Sequence, residues 1–177
     1  MRAFIAIELP RDFIGEVADI ARQLRAAVPG RYVPRENYHV TLAFLGDIAA
    51  SQIDEIANCM DASLSKVEKP IRLKPDGIGK FGKSKNAMLW LGLNKAPEMM
   101  DLALRLRDNL AQEGISFDDK SFLPHITLAH HAQIPDIELP ALVFPESVYA
   151  DRMVLYKSTL SKEGASYEAL CEMEFNI

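Results

Sequence analysis

The five residues His39–Ala43 (HVTLA) return as His125–Ala129 (HITLA), with a single change of Val to Ile. Two of the four histidines in the chain open these pentads. Histidine is the side chain that exchanges a proton near neutral pH. Two histidines in matched surroundings therefore indicate a general acid that faces a general base. The repetition also predicts a molecule built from two related halves.

Each pentad is rich in residues that favour β-structure, and we expect each to be a strand. Side chains alternate between the two faces of a strand. His39 and Thr41 are therefore expected on one face, and the same holds for His125 and Thr127. The apolar residues between them, and Phe44 after the first pentad, are expected on the opposite, core-facing side. The polar face is a poor core surface but a suitable wall for a ligand site.

The remaining sequence predicts helices and strands in alternation. Apolar residues at helical spacing predict helices over 13–28, 53–64 and 99–110. Further strands are expected over 3–9, 32–35, 71–79, 87–93, 152–160 and 167–175. The glycine-flanked stretch 79–83 is interpreted as a turn-rich connection. We predict an α+β fold in which two antiparallel sheets face each other, and a single bilobal domain over residues 1–177.

Composition narrows the function. The net charge of −5 argues against a broad nucleic-acid-binding surface but permits a local basic cleft. Cys59 and Cys171 form neither a disulfide framework nor a zinc-binding spacing, so we expect reduced thiols in a cytoplasmic protein. No apolar run approaches the ~20 residues that span a bilayer, and the N-terminus lacks the features of a signal peptide. We expect no membrane association.

Two imidazoles and two hydroxyl groups around one cavity suit a tetrahedral phosphate. Threonine hydroxyls can donate to phosphate oxygens, while one neutral and one protonated histidine can move the protons. A single strand histidine is most often a core or surface residue, but packing does not require a repeated His-x-Thr. A zinc site is the competing interpretation, and neither pentad carries a second ligand at a useful spacing. The adjacent His130 and His131 would point to opposite faces of a regular strand.

Several stretches together resemble the 2H phosphoesterase superfamily. They are residues 2–10, 33–46, 79–81, 90–92 and 122–129. The resemblance is closest to the RNA 2′,3′-cyclic phosphodiesterases, also called 2′-5′ RNA ligase-like proteins, and it covers nearly the whole chain. It implies two pseudo-symmetric lobes with facing antiparallel sheets, helices on the outside and one central cleft.

The resemblance also implies residue roles. His39 would be the proton donor and His125 the proton acceptor, while Thr41 and Thr127 would hold the phosphate. The implied reaction is metal-independent hydrolysis of an RNA 2′,3′-cyclic phosphate to a 2′-phosphomonoester, with no cofactor. The symmetry of the pentads does not by itself decide which histidine is the acid.

One position departs from the family pattern. The family often has an arginine just after the second pentad, and this chain has His130 there, which we expect to contribute to phosphate binding. Strict alternation would instead put His131 on the face of His125, so either histidine can reach the cavity. Tyr32 stands where the family often has tryptophan, and packing is the favoured role for it. Lysines around Phe81 are more typical of a solvated loop than of an RNA contact.

Two alternatives stay open. The chain can act on another cyclic or 2′-5′ linked phosphodiester, including 2′-5′ ligation of RNA ends. It can also be a non-catalytic module that binds RNA ends, which the acidic net charge disfavours. The expected partner is RNA with a 2′,3′-cyclic phosphate end or a small cyclic nucleotide. We expect a monomer.

Overall fold

A computed structural model describes residues 1–175 of the 177-residue chain. The helices of this part are α1 (Arg11–Arg25), α2 (Ile53–Leu64) and α3 (Pro97–Gln112). The strands are β1 (Arg2–Glu8), β2 (Arg31–Tyr32), β3 (His39–Asp47), β4 (Arg72–Leu73), β5 (Pro75–Lys83), β6 (Asn86–Leu93), β7 (His125–Ala132), β8 (Val148–Tyr149), β9 (Arg152–Ser161) and β10 (Gly164–Glu174).

The strands form two four-stranded sheets and one small pair. The first sheet has the order β10-β9-β1-β3, the second has the order β2-β7-β6-β5, and β4 pairs with β8. Every strand pairing among the described residues is antiparallel. The pentad strands β3 and β7 contact each other, so the two sheets meet where the repeated motifs lie. This confirms the predicted α+β fold with facing antiparallel sheets.

The helices cover the sheets with one apolar face each. In α1 the residues Phe13, Val17 and Leu24 are fully buried at helical spacing, and the charged residues between them face solvent. α2 and α3 pack on each other, and Asn109 Nδ2 donates to Ser63 Oγ at 2.9 Å. Buried residues of both sheets and all three helices belong to one hydrophobic cluster. No helix in residues 1–175 has the length and apolarity to cross a membrane.

Three predicted segments differ from the structure. The strand expected over 71–79 is divided into β4, which pairs with β8, and the first part of β5, which pairs with β6. The stretch 79–83 lies in β5 instead of a turn, because it pairs with β6 as far as Lys83, and the chain reverses at Ser84 and Lys85. Gly82 takes a φ of +84° within the strand, a conformation that glycine adopts without strain. The strand expected over 32–35 is only Arg31–Tyr32, and a 3₁₀ turn over Arg35–Asn37 follows it.

Each pentad carries an irregularity at the same position. In β3 the register passes from Ala43 to Thr41 while β1 advances by one residue, so Leu42 has no opposed residue in β1. In β7 it passes from Ala129 to Thr127 while β6 advances by one residue, so Leu128 has no opposed residue in β6. A β-bulge of this kind inserts an extra residue and changes which face the following side chains occupy.

The bulge overturns the expectation for Phe44. By strict alternation Phe44 would be in the core, but its side chain is 52% exposed. Leu42 and Ala43 are consecutive buried residues, so Phe44 turns to the face that carries His39. Its ring centroid lies 6.1 Å from that of Phe4, which in turn packs on His39.

Candidate active site

The two pentad histidines are held in the same way. Nδ1 of His39 lies 2.7 Å from the carbonyl oxygen of Asn37, and Nδ1 of His125 lies 2.6 Å from that of Leu123. A carbonyl oxygen only accepts, so each Nδ1 carries the hydrogen and donates it. In the neutral ring, Nε2 is then the unprotonated nitrogen. The structure therefore fixes one tautomer at both histidines and leaves Nε2 as the proton-exchanging atom.

The surroundings of His39 are closed and aromatic. Its ring stacks at 4.8 Å, centroid to centroid, on Phe4 and meets the edge of Tyr167 at 5.5 Å. Its Nε2 lies 2.9 Å from Oγ1 of Thr41, which donates to the neutral ring. Burial lowers the pKa of His39 to about 4; the backbone hydrogen bond opposes this shift, and the nearby charge of His125 adds to it.

The surroundings of His125 are less enclosed. Its ring meets Phe81 edge-on at 5.2 Å and lies 5.9 Å from Trp90. The Thr127 hydroxyl lies 3.7 Å from the Met88 sulfur, a weak acceptor, and makes no hydrogen bond to His125 in the described residues. Burial lowers the pKa of His125 below its ordinary value, and the backbone hydrogen bond opposes the shift.

Two glycines make room for the indole beside His125. A Cβ at Gly79 on β5 would overlap the six-membered ring of Trp90. A Cβ at Gly92 would lie 3.0 Å from the same ring and 2.9 Å from the Asp76 carbonyl oxygen. Trp90 therefore lies flat across the backbone, and Phe81 packs on it at 5.3 Å. Gly79 and Gly92 thus serve the site by their lack of a side chain.

The structure separates the two histidines that follow the second pentad. His130 pairs with Arg31 across β2 and β7, and both side chains are exposed. His131 has a φ of +51°, and its Nδ1 lies 3.0 Å from Oδ1 of Asn86 in the neighbouring strand. Partial desolvation of the ring, then the charges of His131 and Arg31, lower the pKa of His130. This placement favours His130 over His131 as the residue beside Thr127.

Tyr32 packs into the core. Its hydroxyl donates to the Val28 carbonyl oxygen at 2.8 Å, and the Arg25 guanidinium lies over its ring at 5.5 Å. Lys80 lies on β5, and its Nζ donates to the Gly82 carbonyl oxygen at 2.7 Å in an exposed contact.

A cavity of about 400 Å³ lies against His39 under the hairpin that joins β9 to β10. Asn37 Nδ2 donates to the Ala165 carbonyl oxygen at 2.8 Å and ties this hairpin to the turn before β3. The cavity is lined by the turn before β3, His39, two tyrosines and the hairpin: Pro34, Glu36, Asn37, Tyr38, His39, Tyr156, Ser161, Glu163, Gly164, Ala165, Ser166 and Tyr167. Within residues 1–175, no cluster of three or more His, Cys, Asp or Glu has the arrangement of a metal site.

Comparison with known proteins decides the family. A family model described as LigT like Phosphoesterase matches residues 7–90. The RNA 2′,3′-cyclic phosphodiesterase of Thermotoga maritima is 31% identical over 185 residues, which cover 99% of this chain and 96% of the relative. This chain belongs to the LigT-like phosphoesterases. The RNA 2′,3′-cyclic phosphodiesterase of Escherichia coli is 29% identical, over 96% of this chain and 93% of its own.

Two solved structures share nearly the whole fold. Escherichia coli LigT complexed with 3′-AMP superposes with a TM-score of 0.79 at 27% identity, covering 99% of this chain and 98% of the other. TT0787 of Thermus thermophilus superposes with a TM-score of 0.82 at 25% identity, over 99% and 98%. The expected membership of the 2H phosphoesterases is therefore confirmed.

Sequence reasoning about this LigT-like phosphoesterase missed the aromatic residues that surround the histidines. Phe4, Tyr167, Phe81 and Trp90 each contact a pentad histidine, but they come from strands distant in sequence. Three of the four lie in stretches that resemble the family, residues 2–10, 79–81 and 90–92, and that resemblance was the available sequence signal. Arg31 was also missed, because only the strand register brings it beside His130.

Proposed function

We propose that this LigT-like phosphoesterase hydrolyses RNA 2′,3′-cyclic phosphate ends to 2′-phosphomonoesters. The observation that carries the proposal is the matched pair of histidines, both held through Nδ1 with Nε2 as the exchanging nitrogen. The names of the relatives from Thermotoga maritima and Escherichia coli support the substrate class. The 3′-AMP bound by Escherichia coli LigT supports a ligand of nucleotide size.

In the proposed reaction His125 is the base and His39 is the acid. Nε2 of His125 takes a proton from water as the water oxygen bonds to phosphorus. The bond from phosphorus to the 3′ oxygen breaks, and Nε2 of His39 delivers its proton to that oxygen. The phosphate stays on the 2′ oxygen. Thr41 and Thr127 donate to the phosphate oxygens, and such donors lower the barrier when they are already in place.

Substrate binding supplies the condition that the acid needs. With a pKa of about 4, His39 is neutral at pH 7 in the free protein. An anionic phosphate next to the ring favours the protonated form and raises the pKa. The Thr41 hydroxyl suits both states, because it donates to neutral Nε2 and accepts from protonated Nε2. Nε2 of His125 has no hydrogen-bond partner among the described residues and is free to act on water.

The test is incubation of the purified protein with an oligonucleotide that ends in a 2′,3′-cyclic phosphate, with and without chelator, read by mass. The expected result is the gain of one water in both samples. Loss of activity with chelator would contradict the metal-independent mechanism. Binding without any gain of mass would instead indicate a non-catalytic RNA-end-binding module. A panel with cyclic mononucleotides and 2′-5′ linked oligonucleotides separates RNA-end hydrolysis from action on other phosphodiesters.

We further infer a monomeric protein that works in the cytoplasm. Both cysteines are free, and Cys59 is buried in the α2 helix, which suits a reducing compartment. Light scattering of the purified protein at micromolar concentration tests the monomer, for which a mass near 19.8 kDa is expected. A dimer mass would contradict it.

A further inference from the structure

Arg31 lies on the same side of the second sheet as the proposed phosphate-binding residues. Directly opposed residues of an antiparallel pair project to the same face. Tyr32 opposes the buried Ala129 and packs on the core, so Arg31 and His130, the next pair along, face the other way. The bulge at Leu128 gives the same result, because two consecutive buried residues precede His130.

The Arg31 side chain crosses from the second sheet to the hairpin of the first. Its Nη2 lies 3.0 Å from the point where a Cβ would stand at Gly164, and its Cζ lies 3.9 Å from that point. Gly164 lines the cavity beside His39. The guanidinium is therefore at the edge of the space between the two sheets, near the wall that also holds the acid histidine.

Arg31 brings a positive charge to the cavity beside His39, whose lining residues carry none. It forms no ion pair with any other residue of the described part of the chain. The cavity lining contains the carboxylates of Glu36 and Glu163 and neither Lys nor Arg. His130 is mostly neutral above its lowered pKa, and threonine hydroxyls carry no charge. A permanently charged guanidinium would stabilise a bound phosphodiester in a way that these groups do not.

We propose that Arg31 binds a phosphate of the substrate through its guanidinium. The planar fork of arginine matches two phosphate oxygens at once, which a lysine ammonium does not. The bound group is the reacting cyclic phosphate or the next phosphate along the RNA chain. This inference rests on the proposed hydrolysis and assigns it a binding residue outside the two pentads.

The experiment compares Arg31→Gln and Arg31→Lys with Arg22→Gln. Arg22 lies on the outer face of α1, with its side chain 74% exposed and paired with Asp19 at 3.8 Å. Arg22→Gln therefore removes the same charge at a position away from the site. Loss of a charged hydrogen bond should raise KM about 10- to 100-fold in Arg31→Gln. Arg31→Lys should fall between that variant and the wild type, and Arg22→Gln should match the wild type.

Two substrates distinguish the two phosphates. A nucleoside 2′,3′-cyclic phosphate carries only the reacting group, and a dinucleotide with the same end adds one internal phosphate. A KM increase with both substrates assigns Arg31 to the reacting phosphate, and an increase with the dinucleotide alone assigns it to the internal one. Unchanged KM with both substrates would overturn the proposal.

Folding and function are checked separately. Arg31 is exposed, so the melting temperature of Arg31→Gln should equal that of the wild type. If it falls, Arg31→Lys decides: a lysine variant as weak as the glutamine variant would make the residue structural and end the proposal. Should the wild type hydrolyse neither substrate, the proposed function fails, and equilibrium binding of adenosine 2′-phosphate by the same variants still tests Arg31.

Discussion

The half-site around His39 is closed, whereas the half-site around His125 is open, although both start from the same pentad. Both rings donate Nδ1–H to a backbone carbonyl two residues earlier, and both strands bulge at the equivalent leucine of the pentad, Leu42 or Leu128. The difference lies in the strand that each sheet adds. The first sheet adds β10, which lays Tyr167 against His39. The second adds β2, which brings Arg31 beside His130.

The different surroundings of the two histidines fit the proposed roles of acid and base. Burial lowers the pKa of His39 to about 4, so in the proposed reaction its ring is charged only with substrate bound. Among the described residues, Nε2 of His125 makes no hydrogen bond, and Arg31 lies on the neighbouring strand β2. The two pentads thus supply the same side chains, and the strands β10 and β2 give the two histidines different surroundings.

The largest effect is expected from removal of either histidine. His39→Ala and His125→Ala should each lower turnover about 10²- to 10⁴-fold, because each removes one proton-transfer group. The double variant should lose much less than the product of the two, since the pair acts as a unit. Steady-state kinetics measures this, with His131→Asn as the control, because Asn tolerates the positive φ there. Near-wild-type turnover in either single variant would break the pairing.

The pH profile comes next and tests whether one of the two histidines must be protonated, as the proposed acid His39 must be. The pH dependence of kcat/KM reports the ionisation of groups in the free enzyme. If His39 must be protonated, its pKa of about 4 means that only a small fraction of the free enzyme is active near neutral pH. Above pH 6.5, where His125 with its lowered pKa is already neutral, kcat/KM should fall about tenfold per pH unit. A profile measured from pH 5 to 8.5 checks this. A flat or rising value above pH 6.5 would contradict His39 as the acid.

The threonines should give smaller and unequal effects. Thr41→Val and Thr127→Val should each lower kcat/KM about 10- to 100-fold, because each removes a donor to a charged phosphate. Only Thr41→Val should also shift the pH profile, since only its hydroxyl contacts Nε2 of its histidine. The serine variants keep the hydroxyl and are the controls. Equal pH profiles in the two valine variants would remove this difference between the half-sites.

The smallest effect on chemistry is expected at Gly79, through the ring that flanks His125. Gly79→Ala places a methyl group where the Trp90 indole lies, so it should destabilise the fold by about 1–3 kcal/mol, the usual cost of overpacking. Urea unfolding of the single variant and of Gly79→Ala with Trp90→Ala measures the cost in each background. The cost should be smaller when the indole is absent. An equal cost in both would show that the indole does not fill this space.

Local periodicity predicted most of the elements. The helix expected over 53–64 is Ile53–Leu64, and the helix expected over 99–110 lies within Pro97–Gln112. Phe44 was assigned wrongly, because alternation assumes a regular strand and the bulge at Leu42 interrupts it. The bulge depends on pairing with β1, which no local pattern encodes. His130 and His131 were not separated for the same reason.

The sequence by itself determined the two histidines, the two threonines and the two-sheet α+β fold, because short-range alternation and a repeated motif carry that information. Only the tertiary structure decided that β10 covers His39, that Trp90 lies across Gly79, and that Arg31 stands beside His130. All three contacts join residues of different strands, and two of them join residues far apart in the chain. Strand register and the packing of the two sheets create them, and short-range periodicity does not encode either.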